Sequence, residues 1–346
     1  MKRIISLILV FITAISLFTA CKKDDTVTLN IYNWGDYIDE SIFKTFTDET
    51  GIKISYNLFD SNEGMYAKLK SGGTAYDVLI PSDYMIQKLI EEDILLKIDF
   101  DNVPNYEYID DKFKNLAYDS TNEYSIPYMW GTVGILYNKD MVDETVDSWD
   151  ILWNEKYNQS IVMQDSVRDA FAVALKKLNY SLNSISETEL EEAKQLLIKQ
   201  KPLVNGYVND QVKDKMVGNE AALAVIYSGD AIVTSKLNES LKYIIPKEGS
   251  NLWFDAMCIP KTSKHKKEAE MFLNFLCRED IALANVNYIG YSTPHVGAKK
   301  LLPKELLNNK ASYPPEEVLK RCEVFIDLGP TITKMYNDKW TEVKSK

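Results

Sequence analysis

Strand-like and helix-like segments alternate along the first part of the chain, and this alternation limits the fold more than any other feature. Apolar residues at every second position predict a strand over 28–32, and the spacing that follows predicts a helix ending at Gly51. The pattern recurs with a strand over 52–56, a helix over 62–69 and a strand over 76–80. Such alternation indicates a mostly parallel sheet with helices on its faces.

Two long extended segments suggest that the chain crosses between two lobes. Residues 124–138 and 252–260 each read as extended for longer than the roughly five or six residues of a usual strand. The chain length of 346 residues also exceeds what one hydrophobic core usually serves. The other predicted elements are strands over 160–163, 203–207 and 222–227, helices over 168–178, 187–199, 265–277 and 279–288, and a helical C-terminal part from Pro314.

The predicted fold class is therefore α/β, with two lobes joined by extended hinge crossings and a ligand cleft between them. The predicted division is a signal peptide at 1–20, a cysteine and tether at 21–26, a first lobe of 27–130 plus 257–300 and a second lobe of 131–256 plus 301–346.

The N-terminus has the pattern of a secretory signal. Lys2 and Arg3 precede an apolar run from Ile4 to Phe18, which is shorter than the roughly 20 residues that span a bilayer. The five residues that end at Cys21 resemble the lipobox of bacterial lipoproteins, which implies that Cys21 is lipidated and anchors a periplasmic or cell-surface protein. Plain secretion, with an incidental Cys21, is the alternative.

The charge of the chain argues against a nucleic-acid partner. It has 40 Lys and Arg against 51 Asp and Glu, for a net charge of -11. Removal of the leader takes away two basic residues and no acid, so the mature chain reaches -13. A binder of the phosphate backbone needs the opposite sign on at least one face.

Several catalytic classes lack their residues. His265 and His295 are the only histidines, and no Cys-x-x-Cys or His-x-x-x-His spacing supplies a zinc site. The chain contains no phosphate-binding glycine loop and no Gly-x-Ser-x-Gly elbow. We therefore predict no metal, no cofactor and no enzyme activity.

Aromatic residues and acids occur together after predicted strands or in the second crossing. Ligands of open α/β sheets collect beyond the carboxyl ends of strands, so this placement favours a binding site. The side chains concerned are Trp34, Asp36, Tyr37, Ser82, Asp83, Tyr84, Tyr227, Asp230, Trp253 and Asp255.

Asp255 is the most informative of these acids. It lies in an apolar run with Trp253 and Phe254 on one side and Ala256 and Met257 on the other. A carboxylate in such surroundings is costly unless a cation or a hydrogen-bond donor meets it. Acids beside aromatic rings suit a ligand that carries ammonium groups on an apolar chain.

Most of these residues also have an ordinary structural interpretation. Trp34 could be a core residue at the sheet edge, and Asp36 could be a turn residue. Asp230 could cap a helix N-terminus. Tyr84 and Tyr291 could be surface tyrosines.

Seven segments carry a family resemblance. They are YNWGDY at 32–37, SNEGMYAKL at 61–69, YDVLIPS at 76–82, SIPYMWG at 125–131, PKEG at 246–249, WFD at 253–255 and IGYSTP at 289–294. From about residue 26 to its end, the chain resembles the spermidine/putrescine-binding proteins of bacterial ABC importers. This resemblance implies a type II periplasmic-binding fold and a polyamine ligand.

The resemblance also implies roles for individual residues. Trp34, Tyr37, Trp253 and Tyr291 match aromatic walls, Asp255 and Asp169 match acids that hold amines, and Asp36, Ser82 and Tyr84 match polar contacts of the cleft. Tyr227 stands where the family usually has Trp. Asp230 matches an acid of members that favour the shorter diamine.

Three positions bear on the length of the ligand. Some spermidine-binding relatives have an acid at the position of Ser166 and a Gln near that of Phe325, and this chain has neither. With the acid at Asp230, the resemblance favours putrescine, and spermidine is the alternative.

The expected partners are a membrane permease and its ATPase, served by a lipid-anchored monomeric receptor. Alternatives are a receptor for a sugar, an amino acid or iron, and a secreted hydrolase with paired carboxylates. A sugar site would not need Asp36, Asp169, Asp230 and Asp255 together.

Overall fold

The structure, a computed structural model, describes residues 26–346. The predicted signal peptide and Cys21 lie outside the described residues. The strands of this part are β1 (Thr28–Trp34), β2 (Lys53–Phe59), β3 (Val78–Leu79), β4 (Ser125–Asn138), β5 (Ile161–Gln164), β6 (Val204–Val208), β7 (Leu223–Tyr227), β8 (Leu241–Ile244) and β9 (Leu252–Cys258).

Helices connect most of these strands. They are α1 (Ser41–Thr50), α2 (Asn62–Ser71), α3 (Asp83–Glu91), α4 (Val167–Lys177), α5 (Glu187–Gln200), α6 (Val212–Val217), α7 (Ser228–Leu237), α8 (Lys266–Leu276), α9 (Glu279–Ile289), α10 (Val296–Leu301), α11 (Lys304–Leu307), α12 (Glu316–Leu319) and α13 (Gly329–Ser345). Short 3-10 turns lie mainly between α3 and β4 and between β4 and β5. No helix of residues 26–346 is both long and apolar enough to cross a membrane.

The strands form one mixed sheet with the order β2-β1-β3-β9-β4-β7-β5-β6, and β8 also pairs with β4. β1 is parallel to β2 and β3, and β5 is parallel to β6 and β7, as the strand–helix alternation predicts. β4 and β9 run antiparallel to each other. They separate the two parallel groups.

β4 joins the two halves of the sheet within one strand. Its residues from Ser125 to Thr132 pair with β9, and those from Val133 to Tyr137 pair with β7. We call β2, β1, β3, β9 and the first part of β4 the first half, and the remaining strands the second half. The predicted lobe boundaries at 130/131 and 256/257 fall inside β4 and β9, and the division into lobes stays a prediction.

Local sequence explains where the helices near the site begin and end. Gly51 and Gly72 end α1 and α2 in the left-handed conformation, with φ of 74° and 69°. Ser61 caps α2 by accepting a hydrogen bond from the Gly64 amide, and Ser166 caps α4 by accepting one from the Asp169 amide. The cap at Ser166 places Asp169 in the first turn of α4.

Two predicted elements are shorter than the sequence pattern suggests. The third strand has ladder pairing only at Val78–Leu79, although the prediction covered 76–80. The C-terminal part is helical only at Glu316–Leu319 and Gly329–Ser345. Between these helices the Glu323 amide donates to the Ser250 carbonyl and the Leu252 amide donates to the Glu323 carbonyl, at 2.9 Å each. This pairing with the chain before β9 replaces helical hydrogen bonds.

Gly249 lies where the chain turns toward β9, and its backbone is closely packed. It has φ of 85°, and a Cβ atom there would lie 1.8 Å from the Arg321 carbonyl oxygen. Its own carbonyl accepts a hydrogen bond of 2.9 Å from the Trp149 indole. The segment that contains Glu323 is thus held against this turn.

We predict that Gly249→Ala lowers the free energy of unfolding by about 3 kcal/mol, because strain at positive φ adds to the overlap with Arg321. Gly51→Ala is the matched control, since Gly51 has φ of 74° but nothing within 4 Å of the added atom. It should cost about 1 kcal/mol. Urea denaturation measures both changes, and equal losses would contradict the role of the Arg321 contact.

Candidate ligand-binding site

One cavity of about 370 Å³ lies where residues that follow β1, β3, β5 and β7 meet residues of β9. Both halves of the sheet contribute to its wall. The structure brings together all eleven side chains that the sequence analysis proposed for ligand contact: Trp34, Asp36, Tyr37, Ser82, Tyr84, Asp169, Tyr227, Asp230, Trp253, Asp255 and Tyr291.

Four aromatic rings of this wall pack edge to face in a row. The ring centroids are 6.1 Å apart for Tyr227 and Trp253, 5.0 Å for Trp253 and Tyr291, and 5.5 Å for Tyr291 and Tyr37. Gly229 lies against Tyr291, where a Cβ atom would be 2.1 Å from the ring. The rings therefore hold one another in place before any ligand arrives.

Asp255 lies on β9, two residues after Trp253, and is buried, with 6% of its surface exposed. Burial raises the pKa of Asp255 to about 6, and the hydroxyls of Ser82 and Tyr37 oppose this shift. Its Oδ1 has no hydrogen-bond partner among the residues that the structure describes. The carboxylate of Asp255 is thus buried, as its apolar neighbours in the sequence predict, and one of its oxygens is available to accept a hydrogen bond from a ligand.

Asp169 occupies a similar position in the second half of the site. Its Oδ2 accepts hydrogen bonds of 2.7 Å from the Ser166 hydroxyl and 2.9 Å from the Tyr227 hydroxyl. Burial raises the pKa of Asp169, and these two hydroxyls act against the shift. Within residues 26–346, its Oδ1 lacks a partner. Tyr227 therefore contributes a ring and also orients this acid.

Asp36 and Asp230 differ from these two acids because both form ion pairs with the same lysine. Lys213 Nζ is 3.0 Å from Asp36 Oδ2 and 3.9 Å from Asp230 Oδ1. Burial raises the pKa of Asp230 to about 6, although Lys213 lowers it. The sequence analysis did not select Lys213, since nothing near it in the sequence indicates which acids it meets.

Asp83 is a further buried acid, but its bonds are structural. Oδ1 accepts a hydrogen bond from the Tyr84 amide at 2.7 Å, and Oδ2 accepts one from the Phe254 amide at 3.0 Å. Burial raises the pKa of Asp83 to about 8, the two amides lower it, and neighbouring Asp255 adds to the rise. Asp83 thus fixes the start of α3 to β9 beside Asp255.

Tyr84 and Arg168 close another part of the cavity. The Tyr84 hydroxyl donates to Glu63 Oε1 at 2.9 Å and accepts from Asn62 at 3.1 Å. The Arg168 guanidinium lies 4.3 Å from the ring centroid of Phe325 and 5.4 Å from that of Tyr84. Sequence reasoning did not assign Arg168 to the site.

The ordinary structural interpretations fare differently. Asp36 has φ of 49° in a turn, so it is a turn residue as well as a lining residue. Tyr291 is 7% exposed and is not a surface tyrosine. Asp230 lies inside the first turn of α7, whose N-cap is Tyr227, so the capping interpretation of Asp230 is wrong. Trp34 packs against Phe59 at 4.4 Å and also lines the cavity.

His295 is buried and structural. Its Nδ1 accepts a hydrogen bond from the Ala298 amide, and its Nε2 lies 3.0 Å from the Cys277 carbonyl oxygen. Across residues 26–346, no group of three or more His, Cys, Asp or Glu side chains is arranged to hold a metal ion.

The cavity wall contains several buried polar atoms without partners. Besides the two carboxylate oxygens, these are the indole nitrogens of Trp34 and Trp253, the hydroxyl of Tyr37, Nε of Arg168 and Oδ1 of Asn251, as judged from the described residues. Buried polar atoms are costly unless they are hydrogen-bonded. The wall is therefore suited to a ligand that offers polar groups to the carboxylates and an apolar body to the rings.

Comparisons with known proteins agree with this architecture. The model of the bacterial extracellular solute-binding protein family matches residues 41–311. The spermidine/putrescine-binding periplasmic protein of Escherichia coli K12 is 37% identical over 329 residues, which cover 94% of each chain.

Two solved structures extend the comparison. The spermidine/putrescine ABC transporter substrate-binding protein PotD of Streptococcus pneumoniae is 45% identical, with a TM-score of 0.80 over 92% of this chain and 99% of that one. The Tp0655 lipoprotein of Treponema pallidum is 27% identical, with a TM-score of 0.83 over 92% of this chain and all of that one. The type II fold expected from the sequence is confirmed. The chain belongs to the family of bacterial extracellular solute-binding proteins.

Proposed function

We propose that this protein is the solute-binding receptor of a polyamine ABC importer and that it captures putrescine or spermidine in the cavity between the two halves of the sheet. The names of the relatives at 37% and 45% identity support a polyamine ligand. The proposal also rests on the chemistry of this chain's own cavity.

The observation that carries the proposal is a pair of buried carboxylate oxygens with aromatic rings between them. Asp255 Oδ1 comes from the first half and Asp169 Oδ1 from the second, and neither has a partner among the described residues. Each would accept a hydrogen bond from one ammonium group. The methylene chain would lie along Trp253, Tyr227 and Tyr291.

Other small solutes fit these groups less well. An amino acid carries its own carboxylate, which buried Asp255 and Asp169 would repel. A neutral sugar would stack on the rings, but it would leave both carboxylates without a countercharge. A diamine supplies two positive charges and an apolar chain, and each cation–ring contact adds about 0.5 to 2 kcal/mol.

The proposed activity is binding and delivery without a reaction. A ligand that bridges Asp255 and Asp169 touches both halves, so it favours the arrangement in which they are close together. The receptor, acting as a monomer, would then present the polyamine to a membrane permease that a separate ATPase drives.

We expect calorimetric titration to show binding of putrescine or spermidine and no binding of glucose or glutamate. Asp255→Asn and Asp169→Asn should each weaken polyamine binding by more than about 1 kcal/mol, because each loses a buried charge-assisted hydrogen bond. Binding of a neutral sugar without either polyamine would reject the proposal. Turnover of oligosaccharides would favour the hydrolase instead.

Asp165→Asn is the matched control for these variants. Asp165 lines the same cavity, but its Oδ1 lies 2.8 Å from Lys344 Nζ. Because this acid already has a cation of the chain, its substitution should change the dissociation constant by less than about three-fold. An equal loss in all three variants would mean that the cavity responds to total charge rather than to two specific carboxylates.

Binding should weaken as the pH falls. The pKa of Asp255 is raised to about 6, so the carboxylate protonates between pH 7.5 and pH 5 while the polyamine stays charged. This alone predicts an affinity loss of about ten-fold over that range. Because the pKa of Asp255 is raised from 3.8 to about 6, the ligand-free protein loses stability as the pH rises between these two values, and the full cost persists at higher pH. Calorimetric titration with the polyamine at several pH values should show this dependence of the affinity on pH in the parent protein. The dependence should be weaker in Asp255→Asn.

We also propose that Cys21 carries a lipid that anchors the protein to the membrane. A relative at 27% identity is named a lipoprotein. The protein expressed in a bacterial host should enter the membrane fraction, and Cys21→Ala should release it, because the variant cannot be lipidated. A variant that stays with the membrane would show that another segment holds it there.

A further inference from the structure

Lys213 connects the two halves of the molecule at one end of the cavity. It lies on α6 in the second half, and its Nζ is 3.0 Å from Asp36 Oδ2, which follows β1 in the first half. Asp230 Oδ1 is 3.9 Å away. The side chain of Lys213 is only 21% exposed. Lys213 thus lies behind one end of the cavity, against two acids that line it.

Asp210 also contributes to the charge around Lys213. Burial favours the neutral form of this lysine, but Asp230, Asp36 and Asp210 together raise its pKa above the usual value. The lysine is therefore cationic at neutral pH, and it offsets charge at an end of the cavity where three acids meet.

Asp169 and Asp255 are further acids of the cavity wall that do not pair with Lys213, although the charge of Arg168 lowers the pKa of Asp169. Asp169 and Asp255 are 5% and 6% exposed, and each has one oxygen without a partner in the described part of the chain. Two open carboxylates match two ammonium groups. At the end of the cavity near Lys213, the third ammonium of a triamine would meet Asp36, Asp230 and Asp210, whose charge Lys213 already offsets.

We propose that Lys213 is a specificity-determining residue that makes the site favour a diamine over a triamine. This inference rests on the proposed polyamine function. Lys213 reduces the negative charge at its end of the cavity and would repel a third ammonium group placed there. Asp230 then acts on specificity by holding Lys213 rather than by binding the ligand.

The test measures the ratio of the putrescine and spermidine dissociation constants by calorimetry at low salt. Lys213→Met removes the cation and leaves Asp36 and Asp230 open. Spermidine binding should then tighten relative to putrescine binding by about ten-fold. Lys213→Gln should produce a shift in the same direction if the Met variant folds poorly.

Two controls separate charge at this position from general effects. Lys213→Arg keeps the cation and should keep the parent ratio. Lys215→Met removes a lysine from the same helix, but Lys215 pairs with Glu220 and Asn205 at 3.1 Å each, and neither residue lines the cavity. The ratio of the two dissociation constants in Lys215→Met should also equal that of the parent.

Two outcomes would overturn the inference on Lys213 alone. One is an unchanged ratio in Lys213→Met. The other is an equal loss for both ligands, which would make Lys213 a clamp between the halves without a role in specificity. If the parent protein binds neither polyamine, the proposed function fails, and this inference fails with it.

Discussion

The binding site depends on two carboxylates that are buried beside aromatic rings, each with one oxygen that lacks a hydrogen-bond partner among the described residues. Burial raises the pKa of Asp255 to about 6 and also raises that of Asp169, which shows that ionisation of both groups is opposed in the ligand-free cavity. Hydroxyl groups of Ser166 and Tyr227 reduce this cost for Asp169. A cationic ligand would remove most of the remaining cost of ionisation. The burial that makes these carboxylates costly in the empty cavity therefore also favours binding of a cation.

The strands and rings around these acids are held in place by contacts within the protein itself. β4 runs through both halves of the sheet, and the rings of Trp253 and Tyr291 pack edge to face. Asp83 ties the start of α3 to the Phe254 amide, next to Asp255. A site held in this way loses little conformational entropy on binding, which favours affinity from a small number of contacts.

Much of the fold and the composition of the cavity could be predicted from the sequence. The strand–helix alternation identified the parallel groups, and the apolar neighbours of Asp255 indicated a buried carboxylate. The segment around Glu323 was missed because its hydrogen bonds go to Ser250 and Leu252, which are remote in sequence. Lys213 and Arg168 were missed because their partners lie on other elements.

The sequence alone indicated every strand except β8 and the helices α1, α2, α4, α5, α8 and α9, because the spacing of apolar side chains is a local property. It also determined that acids and rings follow the strands. Only the tertiary structure decided which acids carry a cation of the chain. Lys213 and Asp36 are 177 residues apart, and Asp83 and the Phe254 amide are 171 apart. Contacts at such separations arise from packing of the whole sheet, so the local spacing of residues in the sequence does not predict them.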